Sequence, residues 1–515
     1  MQLATEHFCV HNRNREKMLT WIITLFLLIA TVSCSQEEDG MAIWARAGIL
    51  GNSTSHVMVR QRAVRMASSK LMQARDWALG SSRLQSLDHQ MACSEIALSD
   101  CVNLYEDTNY RLQRLFLRHR HDDARTWLSG ALTSHRTCLE GLREMSCSVP
   151  QALQNLTTIL SKTLALYAQP SSENDREPSS LQSEVNQPLL VSWDASISRA
   201  DFVVSKDGSN SYRTINSVVA VLEKGGGNRG KRVVIYVKAG VYNENVEIKR
   251  NMENVMFIGD GIDKTIITGN RSVHDGSSTI SSATFGVSGD GFWARDMTFE
   301  NTAGPEKHQA VAARVGSDHA IFYRCSFRGY QDTLLVHSQR QFYRECHIYG
   351  TQDFIFGNAA VVLQNCDIFV RRPMAHQSNV ITAQGREDPN ENTGISIHSS
   401  RVVPATDLIA VKGSFRSYLG RPWKKYSRTV FLKTDLDGLI DPKGWTEWSG
   451  NFALSTLYYG EYMNYGNGAS IGGRVKWPGF HVLNNPRDAS PFTVGSFIQG
   501  NSWIPMAGVP FSAGL

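Results

Sequence analysis

The chain has 515 residues, 42% of them hydrophobic and 20% charged, ordinary values for globular material with room for two or more domains. Its 53 basic and 48 acidic residues leave a formal charge of +5, a mild excess that suits an anionic partner such as an acidic polysaccharide. No zinc-finger spacing, ribonucleoprotein motif or long basic run accompanies that charge, so nucleic acid is not an expected partner.

At the amino terminus, Arg13, Arg15 and Lys17 precede an apolar stretch over 21–32 that ends at the small residues Ser33 and Ser35. This is the layout of a secretory signal peptide over 1–35, too short to span a bilayer comfortably. Export without stable membrane insertion follows, and Asn52, Asn155 and Asn270 then become candidate glycosylation sites. Nine cysteines are present. Cys9 and Cys34 depart with the signal, and the odd remainder predicts at least one free thiol.

The next segment, 36–168, reads as helical. Residues 91–117, 122–145 and 150–167 carry apolar side chains at three- and four-residue spacing, as in Leu153, Leu156, Leu160 and Leu164. Asp122 and Asp123 suit a helix start, and Pro150 suits the first turn of the next helix. Facing residues of two antiparallel helices keep a nearly constant index sum. Cys101 with Cys138 satisfies that rule, and so does Cys93 with Cys147 provided the helix ends before Cys147. Residues 169–197 are rich in Ser, Pro, Gln and Glu without periodicity, which predicts a linker.

From 198 to 515 the texture changes to short β-rich runs such as VVIYV (233–237) and NVMFIG (254–259), with no alternating helices. One pattern is written twice, 21 residues apart: AIFYRCSFRGYQDTL at 320–334 and QFYRECHIYGTQDFIF at 341–356, with a looser copy, VVLQNCDIF, at 361–369. A period in the low twenties with one short strand per repeat predicts stacked coils of a parallel β-solenoid. Equivalent residues then lie about 4.8 Å apart, so Asp332 and Asp353 are placed side by side. Two adjacent acids repel when both are ionised, so one keeps its proton. The pattern therefore predicts an enzyme with a carboxylate pair on a rigid sheet. Cys325, Cys346 and Cys366 share one phase, and geometry alone does not choose which two of them pair.

The motifs GVYNE (240–244), HQAVAAR (308–314), GYQDTL (329–334), GTQDFIFGN (350–358) and LGRPW (419–423) occur together in one order. With them, 200–515 resembles a plant pectin methylesterase. ALSDCVNLYED (97–107) and WLSGALTSHRTCLEGL (127–142) make 50–167 resemble the pectin methylesterase inhibitor domain that often precedes it. The resemblance implies a right-handed parallel β-helix behind an all-α helical bundle, acting on methyl-esterified pectin to give pectate and methanol in the cell wall or apoplast. It implies Asp353 as nucleophile, Asp332 as proton donor, Gln309 and Gln331 as oxyanion stabilisers, and Arg421 as the guanidinium that keeps Asp353 ionised. Thr279, Gln309, Arg421 and Trp423 are implied substrate contacts. It also favours a Cys346–Cys366 bridge with Cys325 free. No metal or organic cofactor is implied; a monomer is expected, with the inhibitor-like domain as a partner in cis.

Other readings compete with these. A β-solenoid enzyme cutting the glycosidic bond would also use two acids, and its product would be new chain ends rather than methanol. A non-catalytic binding module is the third reading, and the intact set Gln309, Gln331, Asp332, Asp353, Arg421 and Trp423 speaks against it. GASIG (468–472) satisfies the nucleophile-elbow pattern but has turn-like flanks, so Ser470 is not expected to act. Gln352 and Leu335 depart from the family pattern. The linker offers Arg176 but no adjacent basic pair, which predicts inefficient removal of the helical segment.

Overall fold

The computed structural model describes residues 53–85, 94–117, 119–168, 189–225 and 231–515. The expected signal peptide, Asn52, Cys93 and most of the expected linker lie outside them. Four helices come first: α1, Ser53–Gln85; α2, Glu95–Arg114; α3, His121–Glu144; and α4, Gln151–Ala168. Each packs on its chain neighbour and α1 also packs on α4, closing a bundle. Its core holds Leu71, Leu98, Tyr105, Leu128, Leu132, Leu156 and Leu160. Sequence reasoning missed α1 because its buried stripe is mainly alanine (Ala63, Ala67, Ala74 and Ala78, with Val64 and Leu71), which carries little apolar contrast.

A disulfide joins Cys101 on α2 to Cys138 on α3. Helix α3 stops before Cys147, at a turn in which Ser146 takes a left-handed conformation (φ 56°). Cys147 is disulfide-bonded, and the partner its register assigns, Cys93, is outside the described residues.

The β portion winds through three parallel sheets of 11, 7 and 8 strands; the two smaller sheets take every third strand of the coil, and the largest does so except at its two ends. This is a parallel β-helix. Register is strict: 320–323 pairs with 341–344, and 340–344 pairs with 360–364. The chain passes from the first sheet to the next through one left-handed residue per coil: Asp296, Arg324, Glu345, Asn365, Ser399 and Lys433. The residue after each turns inward and forms a column of Met297, Cys325, Cys346, Cys366, Ser400 and Thr434, all buried. Stacked aromatic rings fill the interior, such as Phe322 on Tyr343 with centroids 5.0 Å apart.

That column corrects one expectation. Cys346 and Cys366 are thiols, as is Cys325, and no bridge joins them. Their Cβ vectors run parallel on neighbouring rungs about 4.8 Å apart, whereas a disulfide brings Cβ atoms to about 3.8 Å. Each sulfur instead meets backbone carbonyls: Tyr323 O for Cys325 (3.5 Å), Phe322 O for Cys346 (3.3 Å) and Tyr343 O for Cys366 (3.6 Å). In denaturant without reductant, iodoacetamide is therefore expected to label all three. A linked Cys346–Cys366 peptide pair in mass spectrometry would contradict this.

Candidate active site

The turns from the second sheet to the third build the site. Strand 326–328 leads to 334–336, and 347–350 leads to 355–357. In these turns Asp332 (φ 62°) and Asp353 (φ 51°) both adopt the left-handed conformation, which aspartate tolerates better than most residues. Leu334 pairs with Ile355, so the two aspartates hold equivalent places on neighbouring coils. The Asp332 amide donates to the Gln352 carbonyl at 3.1 Å. Gly357 (φ 126°) closes the next bend, where a Cβ would lie 2.2 Å from the Val336 carbonyl oxygen.

Around the pair, Arg421 donates to both oxygens of Asp353, from Nε at 2.8 Å and from Nη2 at 2.5 Å. Gln309 lies beside Asp332, where its amide favours the carboxylate form, and donates to Thr279 Oγ1 at 3.4 Å. Trp448 stacks on the Arg421 guanidinium (4.3 Å). Trp423 packs against Phe356 and a small apolar cluster of Val311, Leu335 and Ala383. Asp332 and Asp353 are only 4% and 5% exposed. Burial pushes Asp332 well above the usual carboxylate range, the charge of Asp353 adds to the rise, and Gln309 opposes it. Burial also raises Asp353, but there Arg421 pulls the other way through its hydrogen bonds and charge. Asp353 has a cation and Asp332 has none of its own, so Asp353 ionises first and Asp332 keeps the shared proton.

Helices α2 and α3 sit across this site. Asp100 accepts from Ser278 (2.5 Å) and Ser281 (2.6 Å). Glu144 takes Thr279, Glu140 pairs with Lys424, and Thr137 meets His337 at 3.0 Å. Further out, Arg111 is buried against Asp290 (2.6 Å) and the carbonyls of Ser288 and Gly316. Arg340 joins Asp318 to Asp123 of α3, at 2.7 and 2.8 Å. Between the helices and the carboxylates lies a cavity of about 490 Å³.

The structure thus brings together Thr279, Gln309, Gln331, Asp332, Asp353, Arg421 and Trp423, all lining that cavity. Leu335 lines it too, while Gln352 enters through its carbonyl. Sequence reasoning missed Lys424 and Trp448. Lys424 adjoins LGRPW and was within reach; Trp448 lies 27 residues beyond Arg421, with no local pattern to mark it. His319 is half-buried and stacked on Trp503, His337 is buried and bonded to Thr137, and His308 is exposed. Ser470 sits among turns, with no helix after it.

A family model described as Pectinesterase matches residues 201–501, and one described as Plant invertase/pectin methylesterase inhibitor matches 50–166. The chain belongs to the pectinesterase family of carboxylic ester hydrolases and carries an amino-terminal domain of the inhibitor family. It is 55% identical over 485 residues to probable pectinesterase/pectinesterase inhibitor 36 of Arabidopsis thaliana, covering 87% of this chain and 93% of that protein. It is 52% identical over 452 residues to pectinesterase 2 of Citrus sinensis, covering 86% and 85%. Among solved structures, a pectin methylesterase from carrot aligns over 100% of its length with 62% of this chain, at 54% identity and TM-score 0.61.

The strained electrostatics have a measurable cost. Asp332 holds its proton above the unfolded value of 3.8. Native ionisation therefore lowers stability as pH rises through the folded pKa and costs nothing below about pH 4. Asp332→Asn is expected to raise Tm at neutral pH, by roughly 1–2 °C for each kcal/mol relieved in a chain this size. The gain should vanish near pH 4. Thermal melts across that range check it, and a lowered Tm at pH 7 would count against the assignment.

Proposed function

We propose that this chain is a secreted enzyme that removes methyl esters from homogalacturonan in the plant cell wall, and that its helical domain keeps pectin out of the groove in cis. The observation that carries the reading is the carboxylate pair: an arginine-bound Asp353 one coil away from a buried Asp332 with no cation of its own. Ionised Asp353 attacks the carbonyl carbon of the methyl ester, and the resulting oxyanion takes N–H bonds from the Gln309 and Gln331 amides. The carbon–methoxy bond breaks as Asp332 gives its proton to the departing oxygen, releasing methanol and leaving the uronate acyl group on Asp353. Water then attacks the acyl carbon, Asp332 takes its proton, and Asp353 leaves as carboxylate. Trp423 offers an aromatic face to a sugar ring, and no step calls for a metal.

The bundle's place in the groove supports inhibition. Glu144 occupies Thr279, an expected substrate contact, and Glu140 neutralises Lys424 beside Trp423. A polymer lying along the groove meets α2 and α3.

Two measurements test the roles, both on methylated pectin with the helical domain removed. Asp353→Asn is expected to reduce methanol release below about 1% of wild type, as loss of a nucleophile does, and Asp332→Asn to reduce it roughly 10²–10⁴-fold. New reducing ends without methanol would favour the glycosidic reading. Arg421 lowers the pKa of Asp353, so its removal raises that pKa. Arg421→Ala is expected to move the acidic limb of kcat/KM to higher pH as well as slowing turnover. An unmoved limb in a still-active variant would exclude that role.

A further inference from the structure

Helix α3 approaches the β-helix closely at one end and stands away from it at the other. At Gly130 a Cβ would fall 2.0 Å from Gln339 Nε2, so any larger residue there would have to displace that amide. At Gly141, three turns on, nothing lies within 4 Å of the same construction. Glycine inside a helix costs roughly 0.5–1 kcal/mol relative to alanine, and no close contact at Gly141 demands it. What lies in front of Gly141 is the cavity of about 490 Å³ that holds Asp332 and Asp353, within the roughly 300–1,000 Å³ typical of small-molecule sites.

The bundle's polar contacts nearest this cavity fall around its rim, on Ser278, Ser281, Thr279, His337, Asn358 and Lys424. Among the described residues, no helix side chain hydrogen-bonds to the carboxylate of Asp332 or Asp353. Arg421 still grips Asp353 through two bonds, and Gln309 and Gln331 still line the cavity beside Asp332. The groove is blocked while the chemistry beneath it stays assembled.

We propose that the intact two-domain chain hydrolyses small methyl esters while excluding the polymer, so that its helical domain acts as a size filter rather than an inactivator. The inference rests on the carboxylate-pair reading above and uses the same bond changes: acyl transfer to Asp353, methanol leaving with the proton of Asp332, and hydrolysis by water. A monosaccharide methyl ester has no neighbouring sugars to collide with α2 and α3.

The test compares the full chain with the same chain cut at a protease site placed within 169–188 and freed of its helices in high salt, which weakens the charged contacts. The carrot enzyme, aligned over all its length, is a β-helix without the bundle. The probes are the methyl ester of methyl α-D-galactopyranosiduronate and methylated pectin. Methanol release by intact and cut chains is expected to agree within about threefold on the monosaccharide ester and to differ at least about 100-fold on pectin. In the intact chain, Gly141→Phe should fill the cavity and lower monosaccharide turnover about tenfold or more, whereas Gly141→Ala leaves it unchanged. Neither variant should alter the cut chain. An intact chain inert towards an ester that the cut chain hydrolyses, or a Gly141→Phe chain of undiminished activity, would overturn the size filter. Labelling of Asp332 by a water-soluble carbodiimide with glycinamide gives a second readout that needs no turnover: equal rates in both forms support access, and protection in the intact chain refutes it. Pectin hydrolysis by a cut Asp353→Asn chain would refute the carboxylate-pair reading separately.

Discussion

Everything at the candidate site depends on the backbone hydrogen bonds that hold one coil of the β-helix above the next. Their spacing of about 4.8 Å converts a sequence offset of 21 residues into a side-by-side pair of aspartates. Each carboxylate is fixed by a left-handed turn residue between two paired strands, so neither can swing away to relieve the repulsion. Coils that need more length expel it as loops. Between strands 379–384 and 394–398 the chain bulges out through Arg386, Asp388 and Glu391, and Asp388 and Glu391 meet Ser161 and Arg136 of the bundle.

The same rigidity separates the two aspartates electrically. Arg421, just past strand 417–420, reaches Asp353 but leaves Asp332 without a cation. Burial alone raises both acids; the single guanidinium makes them unequal. Trp448 covers that guanidinium from the solvent side, keeping a charged group in a poorly hydrated place where its field is strong.

The helical bundle is joined to the β-helix mainly through charged and hydroxyl contacts. Arg111 on Asp290, Arg340 between Asp123 and Asp318, and Arg136 on Glu391 are buried or half-buried ion pairs. Breaking any one leaves an uncompensated charge behind, which makes the seated arrangement specific. An interface of this kind is also more separable than an apolar one, because water and salt can satisfy both faces once they part.

How much of this was legible in the sequence follows from the range of each interaction. Rung spacing repeats along the chain, so the 21-residue period revealed the solenoid and the adjacency of Asp332 and Asp353. Helical periodicity revealed α2, α3 and α4 through their leucines but not α1, whose alanine stripe lacks contrast. The same period misled at Cys346 and Cys366: equal phase places two residues on neighbouring rungs, yet parallel side-chain directions keep the sulfurs as thiols. Trp448 over Arg421, Glu140 on Lys424 and the open space at Gly141 carried no local signal at all. The amino-acid sequence determined the elements and the chemistry they bear, because backbone hydrogen bonding imposes its own period on nearby residues. Only the tertiary structure decided what faces the carboxylates across the groove, because those contacts join residues more than a hundred positions apart whose meeting depends on how the bundle and the β-helix fit together.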